Sequence, residues 1–550
     1  MKIFKSCYLL FVALVCFISS FAQDIRGLHR EELDDEFVIV DKTSMQRSTP
    51  YQTEGDFYFT RQVNVDGNGQ NIIGDAANEP SIAVDPTNPF RMVIGWRQFD
   101  TVNSNFRQAG YGYSLDGGLT WTFPGVLDPG NFRSDPVLDF DSEGNFYYNS
   151  LQSSFACDVF RITDGGTVWS SPVSAQGGDK QWMEIDRSGG IGEGHNYSYW
   201  NENFTTCAPG AFTRSTDGGL SFEDCESITG SPFWGTLAVD GNGDLYITGR
   251  SGTEIIVVKS TNAKDGSQTV VWDFSTVVDL NGTLGIFPLV NPEGLLGQAW
   301  VDVDVSGGPG DGNVYVLATV VNNDDQGDVM FAKSTDGGTT FEAPQRINTD
   351  PEGNFNWFGT MSVAPNGRID VIWLDTSEDP NNILSKLYYT FSNDQGTTWV
   401  TPTAISEAFD STVGWPQQNK MGDYFDMVSD NEAAHIAWAN TLNGGQDVFY
   451  TKVIPSLLSV NSFSLESMEM SLFPNPAKEK VTITLASAIE DATIEVFDIL
   501  GRKVQIIYEG SIEKNQEFVW DISKEQLSGL YFVVLQSANA TEITKLITQN

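Results

Sequence analysis

Apolar and polar positions alternate with a period of two through most of this chain, in short runs broken by glycine, asparagine and aspartate. Seven times an apolar run, a polar turn and a second apolar run follow one another: Ser81 to Trp96, Pro136 to Leu151, Trp182 to Trp200, Gly235 to Gly249, Ala299 to Val320, Gly359 to Leu374 and Tyr424 to Asn440. That period puts successive side chains on opposite faces of a strand, so each stretch predicts a hairpin of half-buried strands. No amphipathic helical stretch of useful length interrupts them. The expected fold class is all-β.

Six of these hairpins are followed by a further repeat. The pattern Ser-x-Asp-x-Gly-x-Thr-aromatic is read in SLDGGLTW from Ser114, STDGGLSF from Ser215, STDGGTTF from Ser334 and SNDQGTTW from Ser392. Two worn copies fill the series, ITDGGTVW from Ile162 and STNAKDGSQTVVW from Ser260. Its chemistry is that of a tight turn: the Asp and the leading Ser accept bonds from turn amides, Gly118, Gly219, Gly338 and Gly396 suit positive φ, and the aromatic packs into the next strand. The octet resembles the Asp-box, or BNR, motif of sialidases and other β-propellers. The resemblance implies that each box joins the third and fourth strands of a blade, on the face opposite the active site, so its aspartates are turn aspartates.

The seventh hairpin has a third strand, DVFYTKV from Asp447, but no box. FYFTRQVNVDG (Phe57 to Gly67) resembles the fourth strands PQRINTD and TPTAISE and precedes the first hairpin. The reading is a seven-bladed β-propeller over residues 57–455 closed by that N-terminal strand, because an open ring would leave strand edges unpaired. Seven blades depart from the six of sialidases.

The ends read as addresses. Residues 1–22 carry Lys2 and Lys5, an apolar run from Tyr8 to Phe17 and small residues before Ala22, the pattern of a secretory signal peptide. Residues 23–56 form an N-terminal extension, and 456–470 a Ser-rich linker. Over 471–550, SLFPNPAKEKVTITL, IEVFDILGRKV, FVWDISKEQLSGLYFVVLQ and TKLITQ predict a small Ig-like β-sandwich. With Pro474-Asn475-Pro476, Gly501-Arg502, Leu527-Ser528-Gly529-Leu530-Tyr531 and Lys545-Leu546 in order, this part resembles the type A C-terminal sorting domain of the type IX secretion system of Bacteroidetes. The resemblance implies passage through the periplasm and outer membrane of a Gram-negative cell, then release or attachment at the surface, with the type IX machinery as a partner.

Charge and cysteine narrow the partners. The chain carries a formal −42 and a composition rich in glycine and aromatics; it repels phosphate backbones, so nucleic acid is excluded as a partner. Beyond the leader no apolar run is long enough to cross a bilayer. Cys157, Cys207 and Cys225 remain in the mature chain; Cys207 with Cys225 is the expected disulfide in an oxidising compartment, with Cys157 a competitor.

If the boxes mark one face, ligands belong on the other. The loops leading into the first strands carry Glu79, Asp135, Asp179, Lys180, Trp182, Trp234, Trp300, Trp357, Asp423 and Tyr424. Carboxylates alternating with aromatics suit a polar ligand such as a sugar; inter-blade packing of the aromatics is the blander reading. No cofactor is required, although Glu79, Asp135 and Asp423 offer oxygen ligands for Ca²⁺. A sialidase needs three arginines, a Tyr–Glu nucleophile pair and an acid/base Asp. Phe90-Arg91-Met92-Val93 only partly echoes its Arg motif and lies toward the box side, leaving Arg97, Arg107, Arg133 and Arg250 toward the top. His29, His195 and His435 are the only histidines and suggest filling rather than catalysis. The expectation is an exported propeller that binds an extracellular glycan or protein through its top face; the alternative is a sialidase-like or other glycoside hydrolase.

Overall fold

A computed structural model describes residues 34–163, 165–322, 325–460, 470–485, 488–498, 502–514, 516–524, 529–537 and 541–549. The signal segment with His29, Asp164 of a worn octet, the middle of the linker, Gly501, Leu527 and Ser528 lie outside the described residues.

Among the described residues, seven antiparallel sheets follow one another between residues 52 and 453. The first is typical, with Ala76–Val84, Met92–Phe99, Gln108–Ser114 and Thr122–Val126 paired in chain order. The innermost strands of the others are Ser134–Phe140, Trp182–Ile185, Leu237–Val239, Ala299–Val303, Asn356–Val363 and Asp426–Ser429. Each touches the next around the ring, and the last touches the first. This is a β-propeller, and its sheets pack through buried tryptophans and tyrosines such as Trp96, Tyr148, Tyr199, Trp373 and Trp438.

Ring closure is by the N-terminal strand. Tyr58–Gln62 pairs antiparallel with Asp447–Val453, Tyr58 opposite Val453 and Gln62 opposite Phe449. The last sheet starts earlier than residue 57, because Gln52–Glu54 adds a fifth, outermost strand. The third sheet is the thinnest; where a fourth strand is expected, Phe212 makes an isolated bridge with Glu226, and Cys207 and Cys225 are joined there in a disulfide. Cys157 is buried and has no disulfide partner among the described residues.

Innermost strands of neighbouring blades splay apart, so side chains take over the bonds between them. Asp139 Oδ2 accepts from Ile185 N–H at 2.6 Å, Asp302 Oδ2 from Val363 at 2.7 Å and Asp426 Oδ2 from Ile82 at 3.0 Å. Ser81 Oγ, Thr236 Oγ1 and Ser362 Oγ accept in the same way from Leu138, Val301 and Ser429. Each of these six junctions thereby satisfies a backbone donor that would otherwise be buried without a partner.

The four full octets share one geometry. In each the leading Ser Oγ donates to the Asp at 2.8 Å and accepts the N–H of the Gly two residues past that Asp. The Asp also accepts the N–H and hydroxyl of the residue four positions on. Each of these turns closes the third strand of its sheet, as expected.

Residues 470–548 form two further sheets, Met470–Phe473, Lys480–Leu485 and Glu517–Asp521 in one, and Ile489–Asp498, Lys503–Ile512, Gly529–Gln536 and Thr541–Thr548 in the other. Val481, Ile483, Ile494, Val496, Val533, Leu535 and Leu546 fill the space between them. Among the described residues no helix is long and apolar enough to cross a membrane.

Candidate functional site

At the head of each innermost strand the backbone crosses into positive φ. The residues are Glu79 (54°), Asp135 (47°), Lys180 (56°), Trp234 (59°), Gly297 (154°), Phe358 (54°) and Gly422 (104°). Five of the seven are not glycine, which is costly and concentrates at functional positions. Gly422 is required for a steric reason: a Cβ there would lie 2.8 Å from the Cβ of Glu79. Three of these kinks deliver charged side chains, Glu79, Asp135 and Lys180, to the mouth of the central channel.

There they meet others. A pocket of about 150 Å³ is lined by Arg97, Arg107, Lys180 and Lys420 and by Asp135, Asp179, Glu293 and Asp423, with Gln417, Gln418 and Asn419 on its rim. Lys180 Nζ sits 3.1 Å from Asp135, 3.3 Å from Asp179 and 3.0 Å from Asp423. Lys420 Nζ reaches Asp423 at 2.7 Å, and the other Asp423 oxygen accepts from Leu295 N–H at 2.9 Å. Arg97 Nε lies 2.9 Å from Glu79 and Nη1 donates to Gln418 at 2.9 Å, but Nη2 has no hydrogen-bond partner among the described residues although Arg97 is 1 % exposed. Arg107 is held by Ser134 Oγ at 3.0 Å and by Asp34 of the N-terminal extension at 2.9 Å.

Burial and charge pull the ionisable groups apart. Burial drives Glu79 up to about 7, even though Arg97 opposes it. Burial alone would also raise Asp135 and Asp423, yet Lys180, with Arg97 for the first and Lys420 for the second, holds both carboxyls well below the usual range. Lys180 is buried too, and Asp135, Asp179 and Asp423 raise it well above an ordinary lysine. The Lys180 ammonium thus lies between Asp135 and Asp423, two of the three carboxylates suggested for Ca²⁺. Among the described residues no group of three or more His, Cys, Asp or Glu is arranged to hold a metal ion.

The aromatic half of the expected ring is corrected. Trp182, Trp300 and Tyr424 do converge, with ring centroids 5.1 Å apart for Trp182 and Trp300 and again for Trp182 and Tyr424. They form a plug across the channel beneath the charged pocket, at exposures of 5, 6 and 1 %, and the Tyr424 hydroxyl donates to Pro136 O at 2.7 Å. Trp234 packs on Phe233 and Arg250, and Trp357 donates to Ser385 Oγ inside another blade interface. None of the five lines the charged pocket.

Lys420 and Glu293 were missed as site residues. The amide-rich run Gln417-Gln418-Asn419-Lys420 was the available signal for one of them. Of the four arginines expected toward the top, Arg133 is spent on Asp128 and Asp158 and Arg250 on backbone carbonyls. Arg91 clips the first two blades together through Asp85 and Gly144 O. His435 is fully buried between Tyr450 and Asp430, and His195 is buried beside Tyr197. No third arginine joins Arg97 and Arg107 among the pocket-lining residues.

Comparison with known proteins adds the export route. Residues 471–549 match the secretion system C-terminal sorting domain family. A xyloglucanase from Paenibacillus sp is 24 % identical over 396 residues, which cover 65 % of this chain and 36 % of that one, so the chain spans about a third of its relative's length. Among solved structures, a protein of unknown function from Dyadobacter fermentans is similar at 15 % identity and a TM-score of 0.42, covering 72 % of this chain and 99 % of the other. Trypanosoma rangeli sialidase with its inhibitor DANA is similar at 10 % identity and a TM-score of 0.36, covering 91 % and 89 %. The sheets and the sorting domain together make this chain a β-propeller protein exported through the type IX secretion system, to the cell surface or the medium.

Proposed function

We propose that the protein binds an extracellular glycan in the charged pocket at the top of the channel. The observation that carries this reading is the interleaving of four cations with four carboxylates on one small concave wall, with a donor of Arg97 left unspent among the described residues. A sugar hydroxyl both donates and accepts, and a wall that alternates the two roles recognises it at several points. The kinked backbone and the Lys180 ion-pair cluster hold these groups in place before any ligand arrives, which lowers the ordering cost of binding. The weak relative named a xyloglucanase supports a polysaccharide ligand.

A second reading, glycoside hydrolysis, is favoured by the opposed shifts of Glu79 and Asp135, the separation expected of an acid and its ionised partner. Binding is preferred because Glu79 does not line the pocket and its Oε1 accepts the Asp423 N–H. The test is a glycan array with the mature chain, followed by reducing-sugar release from xyloglucan and a panel of fluorogenic glycosides including a sialoside. The reading expects array binding that Asp179→Asn weakens about tenfold without glycoside turnover. Turnover abolished by Asp135→Asn would replace it with the hydrolase.

A further inference from the structure

The opposite mouth of the channel holds a larger cavity, about 750 Å³, at the far ends of the innermost strands. Trp182 and Trp300, the plug beneath the charged pocket, also line this cavity and form its floor. Its walls are aliphatic, with Ile82, Leu138, Val301 and Met427 among them, and its ionisable groups are almost all carboxyls. Asp139, Glu184, Asp302 and Asp426 stand on the walls and Asp240 and Glu432 at the rim, while Arg187 is the only cation among the lining residues. Arg187 is consumed by Asp139 at 2.8 Å and Glu184 at 2.7 Å. On the same wall Ser429, 7 % exposed, keeps a hydroxyl with no hydrogen-bond partner among the described residues.

We propose that this mouth is a second binding site, independent of the glycan pocket, that takes a lysine or arginine side chain of a basic peptide segment. Aliphatic walls suit the stem of such a side chain, carboxylates and the Ser429 hydroxyl suit its head, and two indole rings at the end of the path add cation–π attraction. Shape separates this from diffuse attraction to an acidic protein: the carboxylates converge on a closed-ended funnel rather than a flat face. Burial raises Glu184 well above its ordinary value and Asp426 to about 7, with Asp139 adding to both shifts. An incoming cation favours the ionised form of each.

The test is calorimetric titration of the mature chain with N-acetyl-tri-lysine amide, in about 150 mM salt to screen long-range attraction. The same peptide with its three ε-amines acetylated is the control. Glu432→Lys sits exposed on the rim and leaves the fold intact; Glu184→Gln changes the wall; Asp179→Asn removes a charge from the other mouth. The expected result is about tenfold weaker binding of the lysine peptide by both Glu432→Lys and Glu184→Gln, no change with Asp179→Asn, and no binding of the acetylated peptide. The proposal is overturned by absence of binding to the wild-type chain, by equal binding of the acetylated peptide, by unchanged affinity in Glu432→Lys, or by an equal loss in Asp179→Asn.

Discussion

Removing the N-terminal strand should open the ring. In a chain lacking residues 24–67, the Asp447–Val453 strand loses its partner Tyr58–Gln62, and the Oγ1 atoms of Thr60 and Thr451, now 2.8 Å apart, lose their bond. Val63 is fully buried and Phe57 is 8 % exposed. At about 1.5–3 kcal/mol per buried side chain, these two contribute roughly 3–6 kcal/mol. The ladder bonds, at about 0.5–1.5 kcal/mol each, are offset by the 1–2 kcal/mol per residue spent ordering the strand. The apolar term therefore remains, and the deletion should cost roughly 3–6 kcal/mol and expose a strand edge that invites self-association. Urea unfolding followed by tryptophan fluorescence reads the first, and light scattering after gel filtration reads the second. Val63→Ala gives a graded version, with a loss of about 1–3 kcal/mol and no exposed edge. A monomeric deletion variant with an unchanged urea midpoint would refute the closure argument.

The same geometry sets three further outcomes. Truncation after Val453 removes the sorting domain, and the propeller should accumulate folded in the periplasm; surface or medium levels equal to wild type, by protease accessibility and immunoblot, contradict that. Replacing both Cys207 and Cys225 by serine should lower stability by about 3 kcal/mol, the loop-entropy value for the 18-residue separation, and equal unfolding midpoints would show the bridge to be inert. Asp426 has a folded-state value of about 7, above its unfolded value, because burial penalises its charge. The folded chain therefore holds a proton that the unfolded chain releases between about pH 4 and 7, and stability from this group falls as pH rises through that window. Compared with Asp426→Asn, wild type should lose stability from pH 4 to 7 in parallel denaturation series; identical slopes count against the assignment.

Whether a feature could be read from the sequence depended on the range of the interactions that make it. The octets are local: Ser334, Asp336 and Thr340 bond within one turn, so their spacing alone reveals the geometry. Period-two alternation likewise disclosed the hairpins, and the missing box of the last blade pointed to Phe57–Gly67 as its outer strand. That Asp135, Asp179, Lys180 and Asp423 come together was legible because they occupy equivalent loops in the repeat; Glu79, from the same set of loops, is buried outside the pocket lining. The aromatic half was misread, since a loop position does not tell whether Trp234 or Trp357 faces the channel or a neighbouring blade. Positive φ was hidden for a similar reason: glycine marks it at 297 and 422, but Glu79, Asp135, Lys180, Trp234 and Phe358 adopt it under tertiary constraint. Glu293 and Lys420 reach the pocket from positions that the repeat does not single out.

The central claim is that ligand recognition lives at the top mouth while the octet turns serve the fold. Two single variants separate these roles when affinity for the strongest glycan-array hit and melting temperature are measured on the same samples. Asp336→Ala removes the bonds from Ser334 and Thr340 and should cost about 1–2 kcal/mol of stability with affinity kept. Asp423→Asn alters the partner of Lys180 and Lys420 and should weaken binding about tenfold while the protein remains folded. A loss of affinity in Asp336→Ala with none in Asp423→Asn would contradict the account and place the site on the opposite face.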